Sequence, residues 1–370
     1  MKVLIAIDKF KESLTSLEAA TIIKEGIGQT RPDMNVSILP IADGGDGFAN
    51  VLKYYLKTKT VKVKSVNPLF KTIQGYYEWS NDSKTAVIEL AVCSGIALVK
   101  SKDRNPLTTS TYGTGLLIKH ALKKGAKKII LGLGGSATND AGIGIAAALG
   151  FAFFDKKGNE LMPIGASLNH IHSIMPPANK QQVQFEIATD VDNPLFGSNG
   201  AAYIYAPQKG ADELQVITLD KGLRNISKII SKQTQIKIDK IKGVGAAGGV
   251  ASMLLPYYHS RLISGIDLIM ELSDFKSSIK KCDLLITGEG KIDNQSFQGK
   301  VVGSFLSLAK KYNKRVLLVA GKIGDVNKSK ISNFQCIELA HHNISVEYSI
   351  KNAKRLLYKN IKSYFLTTSL

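Results

Sequence analysis

The sequence predicts an α/β protein: a Rossmann-like parallel-sheet domain formed by both termini, with a second α/β domain inserted in the middle. Three observations carry this. Both ends of the chain alternate short apolar, β-branched runs with amphipathic helical stretches, the pattern of βαβ units. Acids, amides, hydroxyls and glycines gather directly after those runs, where ligands of open α/β sheets bind. The middle has a different texture, with neighbouring strand-like runs suited to antiparallel pairing. At 370 residues the chain exceeds one ordinary core. We therefore expect residues 1–66 plus 262–370 to form the first domain and 67–261 the inserted one.

In order, Lys2–Ile7 reads as a buried first strand. Thr15-Ser16-Leu17-Glu18 has capping-box spacing and opens a helix with Ala19, Ala20, Ile23 and Ile27 on its apolar side. Val36–Leu39 is the next strand, ending at Pro40 before Asp43-Gly44-Gly45-Asp46-Gly47. Thr60–Val66, Ile73–Trp79 and Thr85–Ala91 are close enough to pair antiparallel. A helix near Gly113–Lys124 precedes a strand at Lys128–Leu133 and a glycine turn with its helix. Phe185–Ala188 is a strand, Tyr203–Ala206 reads as another, and Asp212–Lys232 is helical. Gly243–Gly249 starts a glycine-rich helix. Then come a helix Gly265–Leu272, a strand Leu284–Ile286, a helix Lys300–Lys311 and a strand Arg315–Val319. Val346–Phe365 repeats apolar residues at helical spacing and reads as an amphipathic helix packed on the fold.

Composition narrows the class. Hydrophobic content of 44% and charge of 21% are those of a globular protein. No apolar run approaches the roughly 20 residues a membrane span needs. The start, MKVLIAIDKFKES, lacks a signal-peptide pattern, so the cytoplasm is the expected compartment. Cys93, Cys282 and Cys336 are far apart and form no CxxC pair, against a disulfide scaffold or zinc site. The histidine pairs His170/His172 and His341/His342 lack a third ligand at recognisable spacing. The net charge of +19 raises nucleic acid as a partner, but 43 of the 49 basic residues are Lys. Nucleic-acid recognition favours Arg forks, so the charge reads as a lysine-rich surface that attracts anionic substrates.

The densest signal is Leu131–Leu149, where an apolar strand breaks into Gly132, Gly134 and Gly135, then Ser136, Thr138, Asn139 and Asp140, then a helix. Glycines let backbone N–H groups approach an anion, and a helix start adds donors and a positive dipole end. The turn is neither a Walker A loop nor GxGxxG with its downstream acid. The alternative is a tight strand–helix turn whose acids only cap. Four further loops carry similar residues: Asp8-Lys9-Phe10-Lys11, residues 43–47, Asp190-Val191-Asp192-Asn193-Pro194 and Thr287-Gly288-Glu289-Gly290-Lys291-Ile292-Asp293. No Ser-His-Asp or Cys-His arrangement suggests itself, and no GxSxG elbow is present. Carboxylates, lysines and glycine loops fit Mg²⁺-dependent phosphoryl transfer, which needs positioning, charge neutralisation and a carboxylate to accept a hydroxyl proton.

Together these loops resemble the bacterial glycerate kinase family of the glycerate 2-kinase type. The resemblance runs through IAIDKFKESLTSLEAA at 5–20, PIADGGDGF at 40–48, AVIELAVCSGIAL at 86–98 and NPLTTSTYGTG at 105–115. It continues through LGLGGSATNDAGIGIAAALGF at 131–151, ATDVDNPLFG at 188–197, GVGAAGGVASML at 243–254 and LLITGEGKIDNQSFQGKVV at 284–302. It implies ATP-dependent phosphorylation of the 2-hydroxyl of D-glycerate, giving 2-phosphoglycerate and ADP, in a cleft between a Rossmann-like domain and an inserted one. Two departures stand out. Asn67-Pro68-Leu69-Phe70 stands where the family has Asp-Pro-Leu-Gly, and Lys291 where Arg is common.

Chemistry then suggests roles. Gly134, Gly135, Ser136 and Thr138 are candidates for phosphate oxygens, with Thr287, Gly288 and Gly290 as a second glycine turn for the nucleotide. Glu289 and Asp293 are candidate Mg²⁺ ligands. Lys9 and Lys291 would neutralise the glycerate carboxylate or the phosphoryl group, and Asp192 and Asn193 would bind substrate. Asp190 is the first choice of base and Asp43 the second; Asp192 nearby would raise the Asp190 pKa. Alternatives are a kinase of a related hydroxy acid or of the 3-hydroxyl, or a metabolite sensor on the same fold. The expected partners are small molecules, without nucleic acid or membrane.

Overall fold

A computed structural model of the chain describes residues 1–42, 48–179, 181–297, 301–327, 331–341 and 344–368. In chain order its strands are β1 Lys2–Ile7, β2 Asn35–Ile38, β3 Lys59–Val66, β4 Thr72–Ser80, β5 Thr85–Glu89, β6 Lys128–Gly132, β7 Ala152–Phe154, β8 Ser173–Met175, β9 Gln184–Ala188, β10 His259–Ile263, β11 Leu284–Ile292, β12 Arg315–Ile323 and β13 Gln335–Glu338. The chain divides into two units, Met1–Asp43 with Gly265–Leu370, and Gly44–Ser264. The fold class read from the sequence holds, with a parallel-sheet unit formed by both ends of the chain.

The first boundary falls earlier than the expected 66/67. β3 pairs antiparallel with β4 from Lys59↔Trp79 to Val66↔Thr72, so it belongs to the second unit's sheet. The helix Phe48–Leu56 precedes it in the same unit. The return falls at Ser264/Gly265 rather than 261/262, because β10 pairs with β9 through Ile263↔Ala188.

The first unit's sheet has the order β13-β12-β11-β1-β2, all parallel. Its inner strand β1, next to the central β11, reads as a continuous apolar run because both faces are covered. The chain leaves β1 to one side for β2 and returns on the other for β11, which makes the β1/β11 junction a topological switch point. The helix Ser16–Thr30 starts as its sequence predicts: Glu18 N–H donates to Thr15 Oγ1 (3.2 Å) and Thr15 N–H to Glu18 Oε2 (2.8 Å). Ile5, Ile7, Ile23, Ile27, Ile286, Leu317 and Leu357 are among the residues of this unit's core.

The second unit's sheet has the order β10-β9-β6-β5-β4-β3, parallel from β10 to β5 and antiparallel through β4 and β3. β7 and β8 form a separate antiparallel pair. Ile129, Leu131, Phe185 and Ile187 from the central strands are completely buried in a second core.

Several local expectations need correction. Tyr203–Ala206 is not a strand; Ala201–Tyr205 is a short helix that stops before Pro207, and so short an apolar run has no decisive period. β11 runs on through the glycines to Ile292, so Thr287–Gly290 is strand rather than turn. The helix after the Gly134 turn covers only Ile143–Ala148. Ala246–Gly249 is kinked, with Ala247 and Gly248 at positive φ. The last helix breaks at Asn352 into Val346–Lys351 and Ala353–Thr367.

One charged group is buried inside the parallel part of the second sheet. Glu186 Oε1 lies 2.7 Å from Arg261 Nη2 on β10 and 3.1 Å from Lys128 Nζ on β6, with its side chain only 2% exposed. Glu186→Ala is expected to cost about 2 kcal/mol in urea unfolding, because it strips two cations of a charge-assisted partner. A loss below about 0.5 kcal/mol would mean the pairs act as exposed ones do.

Candidate active site

The β1/β11 switch point holds a cavity of about 600 Å³, lined wholly by the first unit. The segment after β1 contributes Asp8, Lys9 and Lys11, and β11 with the residue after it contributes Glu289, Gly290, Lys291 and Asp293. Asp8 is buried and its Oδ1 accepts the Lys9 N–H at 2.7 Å. Lys291 Nζ stands 4.0 Å from Asp293 Oδ2 and remains largely in solvent. The lining also includes the apolar residues Phe10, Leu339, Val346, Ile350 and Ala353. The lining therefore combines cations and carboxylates with an apolar wall.

The structure brings Lys9, Glu289, Gly290, Lys291 and Asp293 together here as the sequence proposed. It gives Thr287 and Gly288 a different role. Thr287 is fully buried. Gly288 has φ 156°, and a Cβ there would stand 1.7 Å from the Val319 carbonyl oxygen, so close pairing of β11 with β12 demands the glycine. Among the described residues no three His, Cys, Asp or Glu side chains are grouped as a metal cage. Glu289 and Asp293 nonetheless offer hard oxygen ligands on one cavity. Mg²⁺ typically takes one or two carboxylates and fills its shell with water and phosphate oxygens, so this pair fits that ion.

In the second unit the loops after β6 and β9 leave one edge of the sheet side by side. Gly134 and Gly135 are exposed and Ser136 is nearly buried. The turn is clamped to the segment after β5: Ile96 N–H donates to Gly135 O and Ala137 N–H to Ser94 O, both at 2.9 Å. The N–H groups of Gly134, Gly135 and Ser136 donate to nothing among the described residues. Thr138 is fully buried, which removes it from direct nucleotide contact.

The expected helix N-terminus at this turn is corrected. The helix begins only at Ile143, and Asp140, within the six residues between Ser136 and it, ties this segment to Thr111 and to the helix start. Asp140 is completely buried and accepts from Thr111 N and Oγ1 (both 2.8 Å), Gly142 N (3.1 Å) and Gly144 N (3.3 Å). Burial pushes its carboxyl above the usual range, against the pull of those four hydrogen bonds. Gly248, at φ 76°, lies so close that a Cβ would stand 2.3 Å from the Thr138 carbonyl oxygen. Its own carbonyl accepts the Ala141 N–H at 2.9 Å.

Sequence reasoning missed Lys209. It lies in the short 3-10 turn Pro207–Lys209, only 3% exposed, and its Nζ donates to Ser136 Oγ and Thr138 O, both at 2.7 Å. Desolvation lowers its pKa to about 7, while the attraction of Asp140 acts in the opposite sense. Nothing in the local sequence separates this lysine from 42 others. Asn139, which the sequence places in this turn without a role, is fully buried with neither amide atom hydrogen-bonded among the described residues.

Asp190 and Asp192 are exposed at the carboxyl end of β9. Asn193 is engaged within its own loop: Nδ2 donates to Asn199 O (2.9 Å), Oδ1 accepts from Tyr205 Oη (2.6 Å), and its carbonyl accepts the Gly245 N–H (3.0 Å). Asp43 lies outside the described residues, with the rest of 43–47, and so does His342. No described helix is long and apolar enough to cross a membrane.

Comparison with known proteins places the chain in a family along nearly its whole length. Residues 3–368 match the glycerate kinase family. The chain is 41% identical over 325 residues to a glycerate kinase of Halalkalibacterium halodurans, covering 87% of this chain and 86% of the relative. It is 40% identical over 329 residues to a glycerate 2-kinase of Escherichia coli K12, covering 88% and 86%. A crystal structure from Salmonella typhimurium LT2, itself assigned as a glycerate kinase 2, superposes with a TM-score of 0.88 at 34% identity over 99% of this chain and 98% of that one. A kinase's combination of cations, carboxylates and glycine turns, a shared fold and near-complete sequence coverage converge on one statement: the chain belongs to the glycerate kinase family.

Proposed function

We propose that the chain transfers the γ-phosphoryl group of ATP to the 2-hydroxyl of D-glycerate, giving 2-phosphoglycerate and ADP. The observation that carries this reading is the switch-point cavity, where lysines and carboxylates from the two central strands meet. The relative named glycerate 2-kinase supports the regiochemistry. In this reading Lys9 and Lys291 neutralise an anionic end of substrate, as point charges rather than as the bidentate fork an Arg would make. Gly290 lets β11 pass close to the Phe10–Lys11 backbone and so brings Lys9 and Lys291 to one cavity, and Gly134, Gly135 and Ser136 receive phosphate oxygens through their N–H groups. Thr138, Thr287 and Gly288 support these segments from within. Glu289 and Asp293 would hold Mg²⁺, which when bound neutralises charge on the transferring phosphate.

The proton of the attacking 2-hydroxyl goes to the Asp190 carboxylate, with Asp43 as the second candidate. The hydroxyl oxygen forms a bond to the γ-phosphorus as the bond to the ADP oxygen breaks. Asp192 and the braced Asn193 shape the loop that receives substrate. Asp190 is exposed at the carboxyl end of β9, where a substrate hydroxyl can reach it. The cytoplasm, where ATP is supplied, is the compartment this reading requires.

Three measurements test it. Purified protein with Mg-ATP and D-glycerate is expected to give signal in an enolase-coupled assay that lacks phosphoglycerate mutase; glycerate-dependent ADP without that signal would place the phosphate on the 3-hydroxyl. Asp190→Asn is expected to lower kcat about 10²- to 10³-fold with nucleotide affinity within a few fold. A kcat that survives within a few fold removes Asp190 as the base. Glu289→Gln is expected to shift the Mg²⁺ titration of activity to higher concentration, and an unmoved titration takes Glu289 out of the metal role.

A further inference from the structure

Lys209 is a buried amine at the Gly134 turn with few partners for its charge. Burying an ammonium is costly unless it is matched by a charge or by a full set of acceptors. Here the acceptors are one hydroxyl and one carbonyl, and the charge acting on it is Asp140, already occupied by four other donors. In front of it, the turn carries three consecutive N–H groups without acceptors among the described residues. Such a run is the geometry of an anion-binding nest, and Gly135 at φ 68° supplies its left-handed member. Nor does packing explain the residue at 134. Among the described residues a Cβ on Gly134 would meet nothing within 4 Å, and its φ is not positive, so this glycine borders a space that no described residue fills.

Resting on the phosphate-binding reading of this turn, we propose that Lys209 is a positioning residue of the phosphate site: through Ser136 Oγ and the Thr138 carbonyl it holds the Gly134–Ser136 N–H groups in place and supplies the positive charge behind them. It takes the part that a helix dipole plays in other phosphate loops, since the nearby helix starts too late and is too short for that. A bound phosphate favours the ammonium form of the lysine. With a pKa of about 7 in the free protein, Lys209 is mostly neutral at pH 8, so nucleotide binding there takes up a proton.

The test is calorimetric titration with the magnesium salt of a non-hydrolysable ATP analogue at pH 8, in two buffers of different ionisation enthalpy. Wild type is expected to take up most of one proton. Lys209→Met, close in length and free of the cost of burying charge, is expected to weaken the analogue at least tenfold and abolish the uptake. Lys209→Arg, which keeps a charge at every working pH, is expected to recover part of the affinity without the uptake. Gly134→Ala, which no described residue opposes, is expected to weaken binding by occupying the phosphate's space. Wild-type affinity and undiminished uptake in Lys209→Met overturn the proposal, as does a wild type that takes up no proton; the latter applies even if Lys209→Met fails to fold. If Gly134→Ala and Ser136→Ala both bind as wild type does, the turn is not the phosphate site and the underlying reading falls. If they weaken binding while Lys209→Met does not, only the role of Lys209 falls.

Discussion

Parallel strand pairing is the constraint on which the rest of the structure depends. In each unit it points the strands of the ligand-bearing region the same way, so their loops emerge at one edge. The loops after β1 and β11 meet at the first unit's switch point, and those after β5, β6 and β9 meet in the second. Without parallel pairing the charged segments would alternate between two edges of each sheet and never assemble. Parallel strands also need covered faces, which explains their nearly uninterrupted apolar runs and why the polar residues wait until the strands end.

Within that frame the two sites handle charge differently. The switch-point cavity keeps its lysines partly in water, where they cost little to hold and attract anions from a distance. The Gly134 turn instead presents backbone N–H groups without acceptors among the described residues, with the Lys209 amine buried beside them. A buried cation is expensive, but an ion bound against it is poorly screened. Asp140 links these economies: it accepts the Thr111, Gly142 and Gly144 donors and so fixes the backbone that carries Thr138, on whose carbonyl Lys209 rests.

Much of the fold was legible because its signals are local. The capping box at Thr15 and Glu18, the apolar strands and the antiparallel run of β3 to β5 all follow from nearest neighbours in sequence. The first unit boundary was not, because assigning β3 to a sheet depends on which partner it finds in space. The loops of the candidate site were legible as clusters of acids and glycines, but the work done by individual residues was not. Gly288 and Gly248 read as ligand-contacting glycines or helix starts and turn out to permit close approach of Val319 and Thr138. Lys209 lies 73 residues from Ser136, and no spacing rule connects a 3-10 turn to a glycine loop at that distance. Its burial, not its sequence context, distinguishes it.

The pairing of Val3 with Leu284 has a consequence for how the chain is made. At a synthesis rate of about 5–20 residues per second, the β1 strand emerges about 15–60 s before its central partner β11. Through that interval the β1 edge that will meet β11 is a bare apolar strand, the sort of surface that seeds aggregation. The second unit has its six-stranded sheet complete by Ile263, before β11 exists, and can fold meanwhile. The order of synthesis therefore lets the inserted unit fold early and leaves the first strand paired only with β2 until the last quarter of the chain arrives.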